Sequence, residues 1–135
     1  MLKPELLCSV QDFCNGSSPG WSRGNSPLVR KGDRVFCTDS QVTPGREPFN
    51  HTVMRLFEKA GDGPWRVVYE DTGVFQREPC PVVLAGDKLL VTVNPTARTY
   101  APGEPSRVVP CIPKLYVFDV SSEVRLEKIL PMPWG

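Results

Sequence analysis

Ser26-Pro27-Leu28-Val29-Arg30-Lys31-Gly32-Asp33-Arg34-Val35-Phe36 returns, without a gap, as Cys80-Pro81-Val82-Val83-Leu84-Ala85-Gly86-Asp87-Lys88-Leu89-Leu90, 54 residues further along the chain. Pro, Val, Gly and Asp recur identically, and Leu/Val and Arg/Lys recur in kind. Arg23 and Arg77 each stand four residues before the repeated Pro. Downstream, Arg55-Leu56-Phe57-Glu58 lines up on Tyr116-Val117-Phe118-Asp119 at an offset of 61, with a longer second loop absorbing the difference. Two matches in the same order describe a duplicated structural unit, which has to be recognised before any local structure is assigned.

Each copy reads as four short strands. In the first, Pro27 to Arg30 enters a Lys-Gly-Asp turn and leaves through Arg34 to Thr38, because glycine supplies the positive φ of a tight hairpin. A loop rich in Pro, Gly and Asn follows. Val53 to Glu58 and Trp65 to Tyr69 then form a second hairpin around Ala60-Gly61-Asp62-Gly63-Pro64, a cluster of turn residues. The second copy predicts strands at Pro81 to Leu84, Lys88 to Val93, Lys114 to Val120 and Val124 to Leu130. The last segment is also compatible with a short helix capped by Ser121 or Ser122. Its aromatic and β-branched counterpart, Trp65 to Tyr69, favours a strand.

Composition supports an all-β chain. Fifteen of the 135 residues are proline, and the longest proline-free stretch is the 17 residues from Lys114 to Leu130, which rules out a mostly helical protein. Sixteen Lys and Arg against 15 Asp and Glu leave a net charge of +1, so no broad cationic field draws in nucleic acid or anionic lipid. No window reaches the length of an apolar membrane span, and Met1 to Val10 lacks the apolar core and cleavage site of a signal peptide. Nucleic acid and membrane are therefore not expected partners. Five cysteines without a Cys-x-x-Cys pair, and a single His, give no zinc spacing and read as reduced structural thiols. Neither a metal nor another cofactor is implied. Asn15-Gly16-Ser17 and Asn50-His51-Thr52 match the glycosylation sequon and, without a signal peptide, read as chance matches.

Four antiparallel strands per unit, at a period near 54, fit the blade of a β-propeller. The expectation is two four-stranded antiparallel β-propeller-type blades, an incomplete propeller. It divides into a lead-in over 1–20, a first blade over 21–75, a second over 76–130, and a linker or truncated end over 131–135. Residues Gly24 to Pro95 resemble the sialidase-like propellers that carry BNR or Asp-box repeats, in the form Arg-x-x-x-Pro-[Leu/Val]-Val-x-x-Gly-Asp followed by an apolar strand. The pattern covers roughly residues 21 to 130. In that family the Asp box, Ser-x-Asp-x-Gly-x-Thr-Trp, lies in the turn between a blade's third and fourth strands. Here Asp62-Gly63-Pro64-Trp65 occupies that turn in shortened form, and Asp119-Val120-Ser121-Ser122 has no Trp.

The resemblance implies that Arg23 and Arg77 stand side by side at the mouth of a central channel, on the substrate face. Arg suits a carboxylate there, because its planar fork donates two parallel hydrogen bonds and it stays charged at any working pH. The family's own spacing is the tighter Arg-x-Pro. The same face receives the first loop, with Asp39, Gln41, Arg46, Asn50 and His51 in or beside it, and the long loop from Asn94 to Cys111 with Arg98, Tyr100, Glu104 and Arg107. The implied site places Asp39 as an acid/base and Arg23, Arg77, His51, Arg98 and Tyr100 as substrate-binding residues. The family's Tyr nucleophile with its Glu and its other two clamp arginines belong to later blades, so the catalytic set in this chain is incomplete.

The implied function is recognition of a glycan bearing an acidic sugar, as part of a glycan-processing or glycan-binding propeller. The alternative is a non-catalytic propeller that binds other partners, since one fold hosts many functions. Two blades alone leave two outer faces without a neighbour. Further blades in cis or self-association are therefore expected, and Pro131 to Gly135 reads as a linker into another blade.

Overall fold

The computed structural model describes residues 4–7, 26–43, 52–72, 76, 78–95 and 113–132. Among them are eight strands in two four-stranded sheets: β1 (Leu28–Lys31), β2 (Arg34–Val42), β3 (Thr52–Ala60) and β4 (Arg66–Glu70), then β5 (Val82–Ala85), β6 (Lys88–Val93), β7 (Lys114–Asp119) and β8 (Arg125–Pro131). Every neighbouring pair is antiparallel, and each sheet is a simple meander in chain order. Each of the eight strands lies where the repeat predicts one, and the segment before Pro131 is strand β8 rather than a helix.

Local chemistry sets the turns. Gly32 and Gly86 have φ of 62° and 61°, the left-handed conformation that a two-residue hairpin demands and a side chain resists. Asp33 and Asp87 follow them and use their carbonyls identically, accepting from the amides of Gly61 and Val120, each at 2.9 Å. Those two bonds tie the tight turns of each sheet together at one end of the molecule. β2 runs four residues beyond Thr38, although Asp39, Ser40 and Gln41 are poor strand formers. Pairing with Arg55, Met54 and Val53 of β3 overrides that weak preference.

The register corrects one detail of the repeat. With β2 and β6 related by 54 residues, the hydrogen-bonded pairs relate Leu56 to Leu115 and Glu58 to Val117, an offset of 59 rather than 61. A shift of two leaves every side chain on its own face, because successive strand residues alternate sides. Sequence pattern alone therefore does not distinguish the two offsets.

The two sheets pack face to face. The inner face of the first sheet carries Phe36, Met54 and Leu56, with Val29 and Tyr69 beside them. The inner face of the second carries Val82, Leu89, Val91, Val93, Tyr116 and Phe118, with Leu84 and Leu126. Burying each large side chain contributes about 1.5–3 kcal/mol. Tyr69 reaches across, its ring 5.0 Å from Phe118 and edge-on to it.

Alternation then reveals how the units are stacked. Val29, Phe36 and Thr38 lie on the inner face of the first sheet. Their repeat equivalents Val83, Leu90 and Thr92 lie on the outer face of the second. Conversely Val82 and Val91 are inner, while Leu28 and Cys37 are outer. The units are thus stacked head to tail, like face against unlike, and not paired about a two-fold axis. Their first strands, β1 and β5, come together at one edge. There the amide of Val82 donates to the Ser26 carbonyl at 2.9 Å, and Lys31 pairs with Asp87.

A Cβ on Gly32 or Gly86 would meet nothing within 4 Å, so any loss on substitution isolates the backbone cost. Gly32→Ala and Gly86→Ala should each lower the unfolding free energy by about 1–2 kcal/mol. Gly86→Asn should lose less, and urea denaturation gives all three values.

Candidate functional site

The loop end, opposite the tight turns, is built by one short segment between the sheets. Gln76 forms an antiparallel bridge to Thr52, the first residue of β3, and a second to Pro95, just beyond β6. Its amide donates to the Thr52 carbonyl at 2.9 Å and its carbonyl accepts from the Thr52 hydroxyl at 2.6 Å. Its side chain is fully buried, donates to the Cys80 thiol at 2.7 Å and accepts from the Asn94 amide at 3.4 Å. A primary amide suits the position because it offers both donors and an acceptor. Burial pushes the Cys80 thiol up to about 12, with the Gln76 hydrogen bond pulling the other way, so it stays protonated and unreactive.

Beside Gln76 lies a buried carboxylate. Asp71 follows β4 and is fixed by its amide, which donates to the Met54 carbonyl at 2.9 Å. Its carboxylate accepts from the Tyr116 hydroxyl of the second sheet at 2.9 Å and from the Tyr69 hydroxyl of the first at 3.2 Å. Burial raises the Asp71 pKa, opposed by the two phenol hydrogen bonds and by Lys114. Burial, and then the Asp71 charge and hydrogen bond, push Tyr69 up to about 12. Burial followed by the Asp71 hydrogen bond raises Tyr116 as well. Both phenols therefore stay protonated as donors to one carboxylate, which makes the trio a polar clamp between sheets.

Of the residues that the sequence singles out in or beside the first loop, Gln41 is within β2, and so is Asp39. Asp39 lies on the outer face of the first sheet, 5% exposed, directly across from Arg55 of β3 and ion-paired with it. Arg55 in turn stacks over the Phe57 ring, 5.0 Å from its centroid. The longer β2 is the physical cause: pairing carries the strand through Asp39 before the loop begins. Arg23, Arg77, His51, Arg98 and Tyr100 lie outside the described residues, as do Arg46, Glu104, Arg107 and the sequon asparagines Asn15 and Asn50. Their chain neighbours do come together, since Thr52 follows His51, Gln76 precedes Arg77, and Pro95 lies three residues before Arg98.

Asp71 and Gln76 carry the polar chemistry of this end, and sequence reading passes over both. They fall in an apparent connector, and their partners Tyr116, Thr52 and Asn94 are distant in the chain. The one sequence signal is the aromatic Tyr69 standing two residues before an Asp. Among the described residues, no group of three or more His, Cys, Asp or Glu could hold a metal ion. Comparison with protein-family models, curated proteins and solved structures finds no match to the chain.

The Asp71 carboxyl sits above its ordinary value of 3.8 in the folded chain. The folded chain therefore keeps a proton that the unfolded chain releases. Stability from this group is complete below the ordinary value and declines as pH rises through the folded one. In urea unfolding from about pH 3 to about pH 8, Asp71→Asn should gain stability relative to the unsubstituted chain across that window. A difference that stays constant with pH contradicts this account of Asp71.

Proposed function

We propose that the two sheets are successive blades of a β-propeller-type module whose loop end recognises an acidic sugar. The head-to-tail stacking carries the blade reading. A propeller repeats one rotation, so each blade offers its neighbour the same pair of unlike faces, with first strands lining the axis. The clustering of Phe36 and Leu56 with Val91 and Tyr116 in one buried core, with β1 beside β5, fits that rule.

Support for the sugar is positional. Arg23 and Arg77 precede the first strands of the two blades, and the Thr52–Gln76–Pro95 bridges gather the chain next to His51, Arg77 and Arg98. A paired guanidinium site discriminates by charge, because a bidentate carboxylate contact is lost when the acid is esterified. One observation favours binding without hydrolysis. Asp39 is buried in a strand and ion-paired with Arg55, which suits a structural counter-charge better than an acid that must deliver a proton to a glycosidic oxygen.

Calorimetric titration with N-acetylneuraminic acid and with its methyl ester tests the reading. Arg77→Ala and Arg23→Ala should each weaken the acid about 10- to 100-fold and leave the ester unchanged. Equal losses for both ligands, or no saturable binding of the acid by the unsubstituted chain, overturns it. Release of product from an aryl sialoside would overturn the non-hydrolytic form alone.

A further inference from the structure

The outer face of the first sheet points away from the second sheet, yet its centre is shielded from water. Cys37 and Asp39 of β2 and Val53 and Phe57 of β3 share that face, and all four are buried. Arg55 and Lys59 of the same face keep only 13% and 15% of their side chains exposed, whereas Lys88 on the outer face of the second sheet keeps 36%. A central valine can be shielded by its own cross-strand neighbours, as Val117 is on the second sheet. Long cationic side chains on an uncovered sheet instead reach out into water. A layer therefore lies over β2 and β3. It is narrow, because Leu28 of β1 and Val67 of β4, at the two edges of one cross-strand row, are 51% and 48% exposed.

The described residues mark where that layer begins and ends. Glu5, in residues 4–7, pairs with Lys59. Leu6 beside it is exposed, and Leu7 is half-buried, so the chain turns inward at this point. It is next described at Ser26 and Pro27, whose carbonyls accept from the Val82 and Thr38 amides at 2.9 and 2.8 Å. Lys59 is in register with Val35, three residues before Thr38, so the two points are roughly 10 Å apart along the strands. The 18 residues 8–25 between them could span roughly 60 Å if fully extended, far more than this gap requires. The surplus is enough to spread across the face. The stretch carries Val10, Phe13 and Trp21 as apolar groups, with Gly16, Pro19, Gly20 and Gly24 as turn formers, which suits an irregular covering layer better than a further strand.

We infer that residues 8–25 lie over β2 and β3 on the outer face of the first sheet, with Phe13 and Trp21 covering Cys37, Val53 and Phe57. Cys37 and Phe57 correspond to Val91 and Tyr116, which the second sheet buries against the first. The lead-in thus stands where a preceding blade would, and it makes the first sheet the terminal unit of any array, as capping segments do in other stacked repeats. That consequence rests on the blade reading; the covering itself rests on burial alone.

Iodoacetamide labelling of the folded full chain, read residue by residue by mass spectrometry, tests the covering. Cys37 lies under the layer, and Cys80, in the core between the sheets, is the internal reference. In the unsubstituted chain Cys37 should react slowly at every protein concentration. In a Phe13→Ser, Trp21→Ser double variant it should react about 10-fold faster or more, with Cys80 unchanged. A Cys37 that reacts fast in the unsubstituted chain, or stays slow in the double variant, overturns the inference. So does protection that disappears on dilution, which means that a second copy supplies the cover. If both thiols of the double variant react fast, its fold is lost, and a full chain with a protease site inserted between Asn25 and Ser26 replaces it. After cleavage, residues 1–25 should either co-elute with the remainder on size exclusion or depart and leave Cys37 reactive. Departure with Cys37 still protected overturns the inference.

Discussion

The apolar contact between the inner faces of the two sheets is the constraint on which the rest depends. An apolar sheet face has to be covered, and Phe36, Met54 and Leu56 cluster with Val82, Leu89, Val91, Tyr116 and Phe118 of the other sheet. Everything polar in the interface follows from that contact. Glu58 is buried with it and is satisfied by Arg34, whose guanidinium also stacks over Phe36, 5.0 Å from the ring centroid. Arg34 further donates to the Val120 carbonyl, so one side chain neutralises a buried acid in its own sheet and tethers the next.

The two ends of the interface are closed differently. At the turn end, short hairpins recur with the same backbone geometry and the same carbonyl-to-amide bonds from Asp33 and Asp87. At the loop end the connector between sheets supplies single-use devices, the Asp71 clamp between two tyrosines and the Gln76 bridge between Thr52 and Pro95. Asp71 adds a cost: a carboxylate drawn into a dry interface by two phenols destabilises the folded chain once it ionises.

Asp39 shows how a functional assignment depends on where a strand ends. As a loop residue it is a candidate acid; as the cross-strand partner of Arg55 it is half of a buried ion pair. Breaking such a pair leaves an uncompensated charge, so loss of activity on substituting Asp39 would not by itself identify a catalytic acid. In the second sheet Val93 stands at the equivalent position, so the pair is a feature of the outer face of the first sheet alone.

The sequence alone determined the local level: eight strands, tight turns at Gly32 and Gly86, an all-β chain with so much proline, and a duplicated unit. Those properties depend on residues near one another in the chain, through alternation of side chains and the φ that glycine permits. It did not determine the 59-residue offset between β3 and β7, because a two-residue slip preserves the face pattern on which sequence matching relies. Nor did it reveal Asp71 and Gln76, whose partners Tyr116, Thr52 and Asn94 lie 18 to 45 residues away. Only the tertiary structure decided that the two units stack like face to unlike. Hydrophobic pattern says that a face will be covered; which surface covers it is set by packing between segments distant in the chain.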